Sequence, residues 1–290
     1  EKRFIGAIEP GFWAFYQAMP VSGTYPVGHL SWHHYWFIAY LFLFVLAGLT
    51  VIRLARLQYL WPRLDGLVSL LGSRFGLLLP IIPLALGEWW LRARFPGMPN
   101  LIHDWANILL WMQIFLLGVA FAARPRLLDG IERLRHLSLF LAVDLSAVLY
   151  LLFVAGEAGP RRVDALPAAV YPWFCLLRSA HIWCWVLAIS GFALRHLKRG
   201  SSLLRYLNEA VYPLFCLHLP VIVAVAYLIV PLNVAQTLNV SIKFALVTAS
   251  GFLIPLAIHQ WLLRPLPWLG VLFGMRFRAQ STTTQPRSFS

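Results

Sequence analysis

Residues 171–194 read YPWFCLLRSAHIWCWVLAISGFAL, an unbroken apolar stretch interrupted only by Arg178 and His181. Wound as a helix at about 1.5 Å per residue, such a stretch covers the roughly 30 Å of a bilayer's hydrocarbon core. Working outward from it, comparable runs occupy 35–57, 67–90, 101–122, 137–155, 208–230 and 240–263. Hydrophobic residues make up 60% of the 290 and charged ones 12%, a balance that excludes a soluble globular domain. The pattern predicts an all-α, polytopic transmembrane helix bundle of about seven spans over residues 34–264. Residues 1–33 read as an aromatic, Pro/Gly-punctuated external segment. Residues 265–290 read as a cytoplasmic tail whose Ser/Thr/Gln end has a disordered composition.

Charge sets the orientation. Lysines and arginines collect in cytoplasmic loops during insertion. One set of loops and span ends carries Lys2, Arg3, Arg92, Arg94, Arg161 and Arg162. The alternate set carries sixteen: arginines 53, 56, 63, 74, 124, 126, 133, 135, 195, 199, 205, 264, 276, 278 and 287, with Lys198. Sixteen against six predicts a cytoplasmic C-terminus and an external N-terminus. An external start, with no apolar run fit for a signal peptide in the first thirty residues, leads us to expect further spans ahead of Glu1. The net charge of +13 follows from basic loops facing anionic headgroups and calls for no nucleic acid. The same basic face suits a phosphorylated donor such as a coenzyme A thioester. Cys175 and Cys184 are about 13 Å apart along one helix, too far for a disulfide, and with Cys216 read as packing residues.

Ionisable side chains at membrane depth are costly, so each is a functional candidate. Asp144 in the fourth run and Arg178 in the fifth lie at similar depth, which predicts a buried ion pair. A pair that only locks two helices together is the bland reading. Arg178, His181 and Trp185 share one stripe by helical spacing. The sixth run begins NEAVYPLFCLHLP, where Pro213 and Pro220 each remove a backbone donor and predict a broken helix. Glu209, Tyr212 and Cys216 line one stripe there. His218, half a turn away from Glu209 on an ideal helix, carries an imidazole of the kind that serves as a general base or proton relay. A histidine bonded only between helices is its structural alternative.

The external membrane edge carries SWHHYWF, with Trp32, His33 and His34, near Glu88, Trp89 and Trp90 and near His103, Asp104 and Trp105. Interfacial aromatics are ordinary. Two adjacent histidines beside carboxylates admit a zinc site, but no i, i+4 pair supports one. The preferred reading is a polar, aromatic rim that holds a hydroxylated acceptor, with no metal.

Four strings carry a resemblance: GHLSWHHYWFIAYL; RARFPG followed by HDWAN; LRSAHIWCWVLAISGFA; and RYLNEAVYPLFCLHLPVIV. In order and spacing from about His29 to Leu263 they resemble the acyltransferase family 3 membrane proteins, in particular a bacterial glucan succinyltransferase-like branch. That resemblance implies ten spans, of which these would be the last seven. It implies transfer of an acyl group from a cytoplasmic acyl-CoA donor (succinyl or acetyl type) to a glycan or other hydroxylated acceptor, in the bacterial inner membrane, with no bound cofactor. It also implies that the family's principal catalytic histidine lies in a preceding span, so that this polypeptide alone would be inactive. The resemblance further implies an arginine shortly before that histidine; Arg92 and His103 show a similar spacing, but across a Pro/Gly loop rather than on one helix, and read as an accidental match.

The expectation is therefore an O-acyltransferase. Glu209, Tyr212 and His218 would support catalysis. Trp32, His33, His34, Arg178 and His181 would bind substrate. A multi-pass transporter or flippase is the main alternative, since broken helices and buried charges serve it equally. A seven-span receptor is a weaker one.

Overall fold

The computed structural model describes residues 35–56, 69–73, 75–96, 103–152, 166–198, 200–229 and 240–275, together with Gln17, Val21, Gly66 and Leu101. Among the described residues the chain is helical throughout, with no strand. It divides into two compact units, Glu1–Lys198 and Arg199–Ser290.

The first unit holds α1 (Trp36–Arg56), α2 (Ile81–Leu91), α3 (Trp105–Ala122), α4 (Pro125–Tyr150) and α5 (Tyr171–His196). The closest pairing is α4 with α5, and α2 packs against both α5 and α3. Small residues bring α4 and α5 together, as in other membrane helix pairs. A Cβ on Gly191 would stand 2.7 Å from both the Ile131 carbonyl oxygen and Arg135 Cβ. The buried face of α5 repeats Cys175, Ser179, Trp183, Leu187 and Gly191 at four-residue steps. Trp183 anchors a core of Leu77, Leu84, Leu110, Phe121, Leu127 and Leu187.

The second unit holds α6 (Ser202–Ile229) and α7 (Val240–Ile258), with α7 running into a π-helical turn, His259–Leu263, and then α8 (Pro267–Leu272). Gly251 lets α7 approach Ile222 of α6, whose Cγ1 would be 2.8 Å from an added Cβ. Gly274, at φ 69°, ends α8 in the left-handed region that favours glycine.

Four of these helices are long and apolar enough to cross a membrane: Trp105–Ala122, Tyr171–His196, Ser202–Ile229 and Val240–Leu263. Outward-facing side chains such as Phe42, Phe140, Trp173, Tyr227 and Phe252 give the helices a surface suited to lipid.

Three expectations change. The run 67–90 is not one helix. A 3₁₀ turn at Gly76–Leu78 precedes α2, which starts after Pro80 and has only 11 residues. Gly76 is needed there because a Cβ would stand 1.9 Å from the Leu70 carbonyl oxygen. The fourth run is the distal part of a longer helix, with Pro125 near its start and a charged first half. Finally, α6 is not broken: it passes through Pro213 and Pro220 as one 28-residue helix.

Candidate functional site

A buried polar network joins α1, α2, α3 and α5 of the first unit. Its centre is Glu88, whose side chain is 1% exposed. Arg92, one turn later on α2, donates to both carboxylate oxygens, Nε to Oε2 at 3.0 Å and Nη2 to Oε1 at 2.7 Å. Such a two-pronged guanidinium–carboxylate bond fixes geometry as well as charge. Arg178 reaches the same carboxylate from α5 through Nη1. Arg92 Nη2 also donates to Asn107 Oδ1 at 2.7 Å, and Asn107 Nδ2 donates to Asp104 Oδ1 at 2.8 Å. Tyr40 of α1 closes the chain, its hydroxyl donating to Asp104 Oδ2 at 2.5 Å.

Two carboxylates and two guanidiniums balance, which is what makes their burial tolerable. Burial pushes the Arg92 guanidinium below its ordinary pKa, while nearby Asp104 opposes that shift. Tyr171, the first residue of α5, ties the end of α2 in place. Its oxygen accepts the Ala93 N–H at 2.9 Å and its hydroxyl donates to the Glu88 carbonyl at 3.2 Å.

One turn beyond Arg178, α5 presents His181. Its Nε2 lies 2.9 Å from Ser146 Oγ of α4, and Trp185 Nε1 lies 3.1 Å from both atoms. The Ser146 hydroxyl is also 2.7 Å from the Ala142 carbonyl oxygen. One hydroxyl proton thus faces two acceptors, a carbonyl and an imidazole nitrogen. The His181–Trp185 grouping matches the stripe read from spacing.

The expected Asp144–Arg178 pair is not made. Ala142 and Ser146 define the α4 face turned to α5, and Asp144 lies about 200° around the helix from either. It is exposed, with no ion-pair partner among the described residues. Glu88 takes its place.

In the second unit, Glu209 and Tyr212 are exposed and Cys216 is buried. Glu209 Oε2 lies 3.9 Å from Arg264 Nη2, a loose pair at the surface. His218 turns Nδ1 onto its own helix, donating to Phe215 and Leu214 carbonyls at 2.7 and 3.1 Å. Because a carbonyl oxygen only accepts, the proton of both contacts sits on Nδ1. Glu209 and His218 lie on opposite sides of α6, so the structure does not gather Glu209, Tyr212 and His218 into one constellation.

His259 was not singled out by sequence reasoning. It opens the π-helical turn, is fully buried, and neither ring nitrogen has a hydrogen-bond partner among the described residues. The Tyr206 ring stands edge-on to it at 5.4 Å, and the Arg264 guanidinium lies 5.5 Å from the centre of the same Tyr206 ring. π-turns concentrate at functional positions, but no signal in the sequence marks one.

Trp32, His33 and His34 fall outside the described residues. Among the described residues no group of three or more His, Cys, Asp or Glu side chains is placed to hold a metal ion. Cys175, Cys184 and Cys216 are buried and form no disulfide. No family model, curated protein or solved structure matches the chain.

Proposed function

We propose that this chain contributes about seven crossings to a membrane O-acyltransferase, its arginine-rich loops facing the cytoplasm of a bacterial cell. It would take an acyl group from a cytoplasmic acyl-CoA-type donor and pass it to a glycan or another hydroxylated acceptor. The observation that carries the reading is the pairing on α5 of His181, whose Nε2 stands 2.9 Å from a hydroxyl oxygen, with Arg178 one turn earlier.

In the proposed reaction an acceptor hydroxyl replaces Ser146 at His181 Nε2. The imidazole takes its proton as the acceptor oxygen bonds to the thioester carbonyl carbon. Glu88 engages one terminal nitrogen of Arg178, and the remaining N–H groups are suited to stabilise the oxyanion. The carbon–sulfur bond then breaks, and the thiolate leaves with the proton held by His181. Glu88 and Arg92 orient Arg178.

The test uses membranes carrying the natural protein, an acyl-CoA labelled in its acyl carbon, and the cell's own glycans. Label should enter the glycan fraction. Replacing His181 by Gln should cut transfer by roughly 10²–10⁴-fold with normal insertion. Undiminished transfer in H181Q would remove His181 from the chemistry. Passage of the intact donor or acceptor across the membrane without label transfer would favour a transporter.

A further inference from the structure

The arginine-rich end of the first unit takes no part in the proposed transfer, yet two cavities of about 440 Å³ each meet there at one residue, Lys198. The first is an apolar chamber between α3, α4 and α5, with Ile131, Trp183 and Leu187 in its walls. Ser190 supplies its only hydroxyl and Lys198 its only charge. From Trp183 to Lys198 the chamber follows roughly 20 Å of the chain. That is enough for an acyl chain crossing one leaflet, half of a hydrocarbon core about 30 Å thick. On the α3 side the wall includes Gly118 and Ala122, both exposed, so the chamber opens sideways to the surrounding lipid.

The second cavity is polar, lined by Asp129, Glu132, Arg133 and Arg135 of α4 and by Lys198. Lys198 Nζ donates to Glu132 Oε2 at 2.5 Å, and Arg195 Nη1 stands 3.5 Å from Oε1. Counting Arg195, four cations face two carboxylates, which leaves this basin with positive charge in excess. Arg135 donates Nη1 to the Glu132 backbone carbonyl at 2.7 Å, while its buried Nε has no hydrogen-bond partner among the described residues. An acceptor oxygen reaching that N–H would lift the penalty of a buried, unmet donor.

Chamber and basin adjoin at Lys198, so a ligand that fills both carries its anion close to its chain, with no long polar arm between them. A glycerophospholipid meets that condition, because glycerol alone separates its phosphate from its acyl chains. At about 30 Å³ per water-sized group, 440 Å³ holds on the order of fifteen such groups, the bulk of one acyl chain. The second chain has its way out beside Gly118 into the bilayer. Guanidiniums bind phosphate oxygens in pairs, and basic pockets between membrane helices suit anionic headgroups. A surplus of positive charge also disfavours a head that carries its own ammonium. We infer that the paired cavities hold one anionic glycerophospholipid, its phosphate in the basin and one acyl chain in the chamber. Bound in this way, it fastens α4 to α5 where Arg195 and Lys198 otherwise offer Glu132 only exposed ion pairs, which contribute little.

The natural protein, freed of lipid in a neutral detergent, is titrated with phosphatidylglycerol, phosphatidylcholine and glycerol phosphate, and bound copies are counted by native mass spectrometry. One copy of phosphatidylglycerol should bind roughly tenfold or more tightly than phosphatidylcholine. Glycerol phosphate, a head without chains, should not displace it. Arg133→Gln with Lys198→Gln should weaken phosphatidylglycerol by roughly tenfold or more and leave phosphatidylcholine nearly unchanged. Gly118→Leu fills the chamber without a backbone clash, because a Cβ there meets nothing within 4 Å. It should weaken phosphatidylglycerol by roughly tenfold. Ala122→Leu, at the exposed end of α3, is a second filler should the first misfold. Arg53→Gln changes an exposed arginine of α1 that lines neither cavity, and should leave binding as it is. Equal affinity for the two lipids, indifference to both fillers, or displacement by glycerol phosphate would overturn the inference. So would an equal loss in R53Q, which would show a diffuse attraction of charge and no built site. None of these readouts involves acyl transfer.

Discussion

Replacing Glu88 by Gln removes one negative charge from a network that balances two against two. The amide keeps one acceptor oxygen and turns an N–H₂ group toward a guanidinium. Side-chain exposures of 1% for Glu88 and 7% for Arg92 leave almost no water to take over the lost bonds. Breaking a buried pair in this way costs about 3–5 kcal/mol. Arg178 is 29% exposed and can be partly rehydrated, which sets the expected loss near the lower end, about 3 kcal/mol. An ordinary interhelical polar contact in a membrane contributes about 0.6 kcal/mol, so the two cases separate clearly. For a unit of this size each kcal/mol moves the midpoint by about 2–4 °C, giving a fall of about 6–12 °C in Tm for purified E88Q. In the E88Q/R92Q double variant, removing Arg92 relieves the stranded charge. The double loss should fall short of the summed single losses by about 1 kcal/mol or more. A Tm drop below about 2 °C for E88Q, or strict additivity in the cycle, would refute the picture of a dry, charge-balanced network.

Other substitutions probe other contacts. Tyr40→Phe deletes only the hydroxyl that donates to the buried Asp104 carboxylate, and should cost about 1.5–3 kcal/mol in thermal unfolding. Gly191→Ala drives a methyl group against the α4 backbone and should cost about 1–3 kcal/mol, whereas Gly118→Ala should be close to neutral. Glu132 gives a pH signature. The hydrogen bond from Lys198 is the main reason its carboxyl lies below the ordinary 4.5. Its contribution is therefore present above that value and lost as pH falls through the lower, folded-state pKa. The gap in Tm between the natural protein and E132Q should be open at pH 7 and close on acidification. A gap independent of pH would mean that Lys198 does not hold the carboxylate.

The apolar helices were readable wherever one run served one helix. Residues 171–194 gave α5 to within two residues, because Pro172 sits in the first turn, where a helix tolerates it, and Gly191 packs against α4 without breaking the helix. The run 67–90 failed for a local reason: Gly76 and Pro80 insert a tight turn that a hydropathy window averages away. Arg178 was legible as a costly charge, but its partner was not. Depth along two helices placed Asp144 beside it, whereas rotation about α4 turns Asp144 outward and presents Ser146. Glu88 and Asp104 were visible as acids at a membrane edge; that they form one network with Arg92, Asn107 and Tyr40 depends on the packing of three helices. His259 left no trace, since a π-turn is a matter of backbone register.

The 3₁₀ turn before α2 has a consequence for how the protein is made. The Leu77 carbonyl at that turn accepts its hydrogen bond from Trp183 Nε1 at 2.7 Å, across 106 residues, and Glu88 waits 90 residues for Arg178. At a synthesis rate of about 5–20 residues per second, α2 exists for roughly 5–20 s before α5 leaves the ribosome. Throughout that interval its carboxylate has Arg92 alone for company, and its preceding turn has an open carbonyl. Such a segment belongs beside the aqueous wall of the insertion machinery until α5 arrives, so α2 takes its final seat late, out of the order in which it is translated.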